Sequence, residues 1–323
     1  MQDAARRGSG GRAATAGEFV RAVRRATRER WGNPVGYVFI APALLLYLIF
    51  NVWPILRGLA MAFCDYRFLV PGSEWAFNGI DNFKEMFTRD PLFWHSLGIA
   101  VKYTLMTFPT GLLLSLSVAL LISQVQNGRA AGAYRVIAYM PVVMPIAVAM
   151  LLWRQLYHFQ FGYFNLVLKS FFGVTEPPNW LGDGAWALPA VALAALWRGF
   201  GGNTLLFLIG IYGINRDLYE AASIDGANGF QQLWHVTLPL LRPIFVLILA
   251  LNAGIFSATE ELLILTNGDP YNATLTTGLY VYKSAFQLGD QRLGYGAAMS
   301  LFLGVISMIM TALVFKFVRT ERA

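Results

Sequence analysis

Residues Thr104–Ile122 read TLMTFPTGLLLSLSVALLI, a run without one charged side chain. At about 1.5 Å of rise per residue, a helix of this length matches the roughly 30 Å hydrocarbon core of a bilayer. The pattern recurs outward from it. Tyr37–Asn51 is also uncharged, and of the 323 residues 56% are hydrophobic and only 13% charged. A soluble chain carries about a quarter of its residues as charges. The deficit is uneven, because the charges gather in the first thirty positions and a few short stretches. This composition predicts an all-α, polytopic membrane protein.

Six apolar tracts qualify as spans: Gly36–Phe63, Leu97–Ile122, Tyr134–Tyr157, Ala185–Tyr212, Leu240–Leu265 and Ala297–Phe317. The first follows a basic region but ends in no small-residue cleavage site after a short apolar core, so it reads as retained. Pro42 and Pro54 in the first tract, and Pro141 and Pro145 in the third, predict kinks.

The net charge of +7 raises the question of nucleic acid, and Arg6, Arg7, Arg12, Arg21, Arg24, Arg25, Arg28 and Arg30 crowd the N-terminus. Basic clusters beside a span are more simply cytoplasmic anchors, because Lys and Arg resist translocation. With the N-terminus inside, the inner segments hold that tail and Arg129, Arg135, Arg216, Arg242, Lys316, Arg319 and Arg322. The outer segments hold Arg67, Lys84, Arg89, Lys169, Lys283 and Arg292. Both termini are therefore expected in the cytoplasm, as a basic tail over residues 1–35 and a short one over 319–323, flanking a transmembrane domain at 36–318. A lone cysteine, Cys64, permits no internal disulfide, and His95, His158 and His235 lie too far apart to suggest a metal site.

The stretch between the fourth and fifth tracts, residues 213–242, carries Glu220-Ala221-Ala222-Ser223-Ile224-Asp225-Gly226, nine residues, then Val236-Thr237-Leu238-Pro239. Asp217 suits the N-cap of a short helix, with Leu218, Ala221 and Ala222 forming a small apolar face. Gly226 suits a left-handed exit. A second short helix over Phe230–Val236 and a return to the membrane at Pro239 complete a helix-turn-helix at the cytoplasmic surface.

Glu-Ala-Ala, three residues, Gly, nine residues, an aliphatic, one residue, Leu-Pro resembles the signature loop of binding-protein-dependent ABC importer permeases. Val236 stands where that family commonly has Ile. The likeness extends along the chain to the carbohydrate permeases of the maltose and glycerol-phosphate type: Ala41-Pro42-Ala43 with Trp53-Pro54-Ile55, Asn82-Phe83, Trp153 with Gly162 and Asn165, and Trp180-Leu181-Gly182. It continues through Leu265-Thr266-Asn267-Gly268-Asp269-Pro270, Ala285-Phe286 and Gly294-Tyr295-Gly296-Ala297-Ala298. Asp269 replaces the family's usual second Gly.

The resemblance implies half of an importer in a prokaryotic cell membrane: a second, different permease beside it, two ATPase subunits beneath, a soluble binding protein outside and a sugar as substrate. Glu220, Ala221, Ala222, Asp225, Gly226 and Pro239 would then belong to the ATPase-coupling loop. No Gly-x-x-x-x-Gly-Lys-Ser/Thr phosphate loop occurs in the chain, so ATP and Mg are expected on the partner, with no cofactor, metal or catalytic residue here.

Polar residues inside apolar tracts mark candidate pathways. Asn252, Ser257, Thr259, Glu260 and Glu261 lie in the fifth tract, and Arg198 and Asn203 in the fourth. One of the two carboxylates lines a cavity, or they pair with Arg198, or they sit near the outer interface. Trp153, Trp197, Phe256, Tyr280 and Tyr282 could offer aromatic faces to a sugar, or serve as interfacial anchors. Gly199, Gly201, Gly202 and Gly210 would permit close helix approach. Two other classes remain in view: an ion-coupled secondary transporter acting alone, which calls for related halves not visible here, and a membrane enzyme, which needs a catalytic cluster the sparse histidines do not supply.

Overall fold

The computed structural model describes residues 34–72, 75–252 and 259–319. The basic tail up to residue 33, the end beyond residue 319, and Phe256 and Ser257 lie outside the described residues. The chain divides into two units, Met1–Gly58 and Leu59–Ala323.

Helix α1 (Pro34–Tyr47) runs through a π turn (Leu48–Val52) into α2 (Trp53–Met61). The wide turn has a local cause. Pro54 lacks an N–H, and its ring would press on the carbonyl four residues back, inside that turn. The same arrangement recurs at Leu233–Thr237, two residues before Pro239.

In the second unit, α3 (Asp81–Thr88) precedes the long α4 (Pro91–Ser123), then α5 (Gly128–Val143), α6 (Ile146–Leu156) and α7 (Tyr163–Phe172). Next come α8 (Gly184–Tyr212), the short pair α9 (Arg216–Ile224) and α10 (Gly229–Gln232), and α11 (Leu238–Leu240). The chain closes with α12 (Arg242–Leu251), α13 (Glu260–Leu265), α14 (Thr277–Phe286) and α15 (Leu293–Arg319).

Among the described residues, four continuous helices are long and apolar enough to cross a membrane: Tyr37–Met61, Pro91–Ser123, Gly184–Tyr212 and Leu293–Leu313. They match the first, second, fourth and sixth apolar tracts. The third is broken: α5 and α6 meet at 95°. Met144, the residue before Pro145, is extended at ψ 135°, because the proline ring excludes the helical region for its predecessor. Pro141, by contrast, stays inside α5. The chain bends by 58° between Gly229–Leu240 and Arg242–Leu251, at the start of the fifth tract. Pro243 occupies the first turn of α12, where its missing donor costs nothing.

Two apolar clusters hold the second unit. One gathers Phe93, Tyr103, Met150, Trp153, Tyr157, Val191, Leu262, Leu279 and Met299; the other gathers Ala119, Ile122, Ala138, Phe207, Leu208, Leu241 and Ile248. Helices α4 and α8 pack along one another more extensively than any other pair. Ser115 Oγ donates to the Phe200 carbonyl at 2.8 Å and so fixes their register.

The loop-rich end is closed by ions and tyrosines. Arg292 donates through both terminal nitrogens to both oxygens of Glu85, each at 2.6 Å, a bidentate fork between the start of α15 and α3. Asp90 caps α4 and also accepts from the hydroxyls of Tyr280 at 2.7 Å and Tyr295 at 2.5 Å. The hydrogen bond from Arg292, outweighing partial burial, holds the Glu85 carboxyl below its usual pKa. A depressed carboxylate pKa contributes stability above the unfolded value and loses it as pH falls through the folded one. Thermal unfolding of the wild type is therefore expected to lose on the order of 1 kcal/mol more than Glu85→Gln between neutral pH and pH 3, a modest figure for a partly exposed pair. Identical acid sensitivity in the two proteins would contradict that role.

Candidate functional site

Two features stand out: an exposed hairpin and a polar cavity within the helices. In the hairpin, α9 is capped by Asn215, whose side chain accepts from the Asp217 amide at 3.1 Å, and not by Asp217 as the sequence suggested. Asn215 has the extended backbone an N-cap requires, at ψ 131°, and its Nδ2 holds Asp217 Oδ2 at 3.0 Å. The far end of α9 forms a full Schellman motif. Gly226 N–H bonds to Ser223 O at 3.1 Å and Ala227 N–H to Ala222 O at 2.9 Å, with Gly226 left-handed at φ +82°.

Helix α10 begins with a capping box of Asn228 and Gln231. It is shorter than expected, because the π turn takes over at Leu233. Gln232 Nε2 reaches back to Ser223 Oγ at 2.8 Å, and Tyr219 and Thr237 share a hydroxyl hydrogen bond of 2.9 Å. The two arms are thus braced together as one body. Glu220, Ala221, Asp225, Gly226 and Pro239 are exposed, and Ala222 is half-buried. Around them Ile224 is 86% and Phe230 69% exposed, with Leu218 and Trp234 also open. These apolar side chains are thus uncovered on a short, well-capped element.

The cavity, of about 180 Å³, lies between α4 and α8 and is reached by Asn252 and Glu261. Its polar lining is Tyr103 and Thr107 from α4, Arg198 and Asn203 from α8, Asn252 at the end of α12 and Glu261 in α13. Arg198 Nη2 contacts Glu261 Oε1 at 3.3 Å, with the two side chains 28% and 15% exposed. Of the alternatives for the adjacent carboxylates, Glu261 takes the pairing and the cavity together, while Glu260 is exposed.

Trp153 and Tyr280 stand elsewhere. Trp153 packs among Tyr157, Phe164 and Trp197 in the core. Tyr280 is buried with its hydroxyl committed to Asp90; burial first, then that carboxylate, raises its pKa. Tyr103 and Thr107 went unnoticed in the sequence, because hydroxyls in a long apolar tract carry little signal until a neighbouring helix faces them. Of the four glycines expected to admit close helix approach, a Cβ would collide at Gly201 with the Ala138 backbone and at Gly210 with Leu241 and Ile244 side chains. Gly199 and Gly202 have nothing within 4 Å.

The chain matches the family described as "Binding-protein-dependent transport system inner membrane component" over residues 111–322. It is 33% identical, over 91% of its length and 94% of the relative's, to a probable ABC transporter permease protein, YesP, of Bacillus subtilis. It is 32% identical, over 89% of its length and 95% of the relative's, to the trehalose/maltose transport system permease protein MalF of Thermococcus litoralis. In fold it resembles a chain of a bacterial ABC transporter involved in import of the acidic polysaccharide alginate. There the TM-score is 0.77 at 22% identity, covering 94% of this chain and 98% of that one.

Proposed function

Because this chain belongs to the binding-protein-dependent transport system inner membrane components, we propose that it is the permease subunit of an ATP-driven importer of a sugar or oligosaccharide. It crosses a prokaryotic cell membrane six times over residues 36–318, with both ends in the cytoplasm. A second, non-identical permease completes the translocation path, two ATPase subunits bind ATP and Mg, and an extracytoplasmic binding protein delivers the substrate. The relationship to a trehalose/maltose permease supports the sugar assignment.

The observation that carries the reading is the braced hairpin of α9 and α10, on which Ile224, Phe230 and Trp234 are exposed. A rigid body of this kind can transmit motion. Closure of the ATPase pair displaces the hairpin, and the hairpin turns the helices it continues into, in a two-state rigid-body switch. The cavity lined by Arg198 and Glu261 lies on the substrate path.

The test is to isolate the tagged chain from its native membrane. Two ATPase subunits and a second permease are expected to accompany it, and the paired change Ile224→Asp with Phe230→Asp is expected to release the ATPase while the chain stays in the membrane. A chain that comes out alone and moves solute on a proton or sodium gradient would instead establish the ion-coupled transporter.

A further inference from the structure

Two Arg–Glu pairs in the second unit differ in a way that bears on selectivity. Arg292 and Glu85 are joined by a bidentate fork, with both contacts at 2.6 Å. Arg198 and Glu261 meet through one contact at 3.3 Å, long for a charge-assisted hydrogen bond. Among the described residues the Nε atoms of Arg198 and Arg292 are both buried without a hydrogen-bond partner, but only Arg198 lines a cavity. The first pair matches two nitrogens to two oxygens and closes the loop-rich end. The second keeps unspent bonding capacity beside a cavity whose other polar groups, Asn203, Asn252, Thr107 and Tyr103, are uncharged.

Leaving a guanidinium N–H unpaired in a partly desolvated site is costly, and a ligand that supplies the missing acceptor recovers that cost. Among the described residues the charged groups lining the cavity are Arg198 and Glu261, one of each sign. A carboxylate or phosphate entering it would meet Glu261 at close range, or would have to separate Glu261 from Arg198 and leave a partly buried charge uncompensated. A sugar hydroxyl faces neither difficulty. It accepts from the guanidinium while it donates to the carboxylate, and two neighbouring hydroxyls can do both at once.

We propose that Arg198 and Glu261 are the selectivity element of the cavity, binding adjacent hydroxyls of an uncharged glycoside and turning away carboxylated or phosphorylated solutes. The proposal rests on the importer reading and narrows its substrate to neutral carbohydrate.

The experiment uses the whole complex, isolated through its ATPase subunits, placed in nanodiscs without the binding protein, and studied by saturation-transfer NMR. The neutral probes are methyl α-glucoside, methyl β-galactoside, trehalose and maltotriose; the acidic ones are methyl glucuronide, galacturonate and glycerol 3-phosphate. Wild type is expected to bind at least one neutral probe and none of the acidic ones. Glu261→Gln leaves the cavity net positive and is expected to weaken neutral binding at least tenfold while admitting an acidic probe, a gain that misfolding cannot produce. Arg198→Lys keeps the net charge but loses the planar fork, and is expected to weaken neutral binding with the acidic probes still excluded. The proposal is overturned by acidic probes binding wild type, by no probe binding it, or by unchanged selectivity in Glu261→Gln. The importer reading is judged earlier and separately, by whether the ATPase subunits hold the chain during isolation.

Discussion

Uptake by the assembled transporter is expected to fall to background when Gly226 is replaced by valine, with the protein still inserted and abundant. A Cβ at this position meets nothing within 4 Å, so the substitution creates no clash. The cost lies wholly in the backbone. Gly226 sits at φ +82°, where an L-residue pays about 1–2 kcal/mol and a β-branched one more. The chain escapes that strain by unwinding the turn, which breaks the Gly226–Ser223 and Ala227–Ala222 bonds and swings α10 away from α9. Gln232 then loses Ser223, and the two arms cease to move as one body. ATP hydrolysis by the complex would continue while transport stops. The control is Gly226→Asn, because asparagine tolerates the left-handed region and retains most of the activity. Transport by Gly226→Val at the wild-type rate, from equal amounts of protein, would remove the hairpin from the coupling mechanism.

The parts of this molecule legible in its sequence were those governed by local rules. Uncharged runs such as Thr104–Ile122 became long helices because nothing in them competes with a helix in an apolar setting, and Gly226 took the left-handed conformation that glycine alone adopts freely. A local rule can also be satisfied a step away from the residue that suggests it. The sequence pointed to Asp217 as the N-cap, and the cap fell to Asn215, where the chain is still extended. Proline positions were visible, but their outcomes depended on surroundings: Pro141 is absorbed within α5, while the chain turns at Pro145.

Long-range pairings were the hardest to read. Arg198 and Glu261 stand 63 residues apart, and Tyr280 lies 190 residues from the aspartate that takes its hydroxyl. An aromatic residue near an expected pathway reads alike whether it faces a sugar or fills a core. For Trp153, the rings of Tyr157, Phe164 and Trp197 packed around it place it in the core.

Gly201→Ala, the smallest change possible at that site, is expected to destabilise the protein by about 3 kcal/mol, the upper end of the usual range for overpacking. The added Cβ would collide with the carbonyl oxygen of Ala138 and lie 3.1 Å from the Tyr139 Cα, so α5 presents backbone at this crossing and no side chain that could rotate aside. Nor can α8 easily retreat. On α4, Ser115 donates to the Phe200 carbonyl at 2.8 Å, and Thr204 reaches the Ser115 carbonyl at 3.4 Å, so the segment around Gly201 is tied to α4 on both sides of the glycine. Thermal unfolding in detergent, followed by size-exclusion chromatography of the heated sample, measures the loss. Gly202→Ala is the matched control, one position along the same helix with nothing within 4 Å of its Cβ. It is expected to gain about 0.5–1 kcal/mol from the better helix former. Opposite signs at adjacent glycines would locate the close helix crossing at Gly201, and equal tolerance at both would show that α5 and α8 do not meet there.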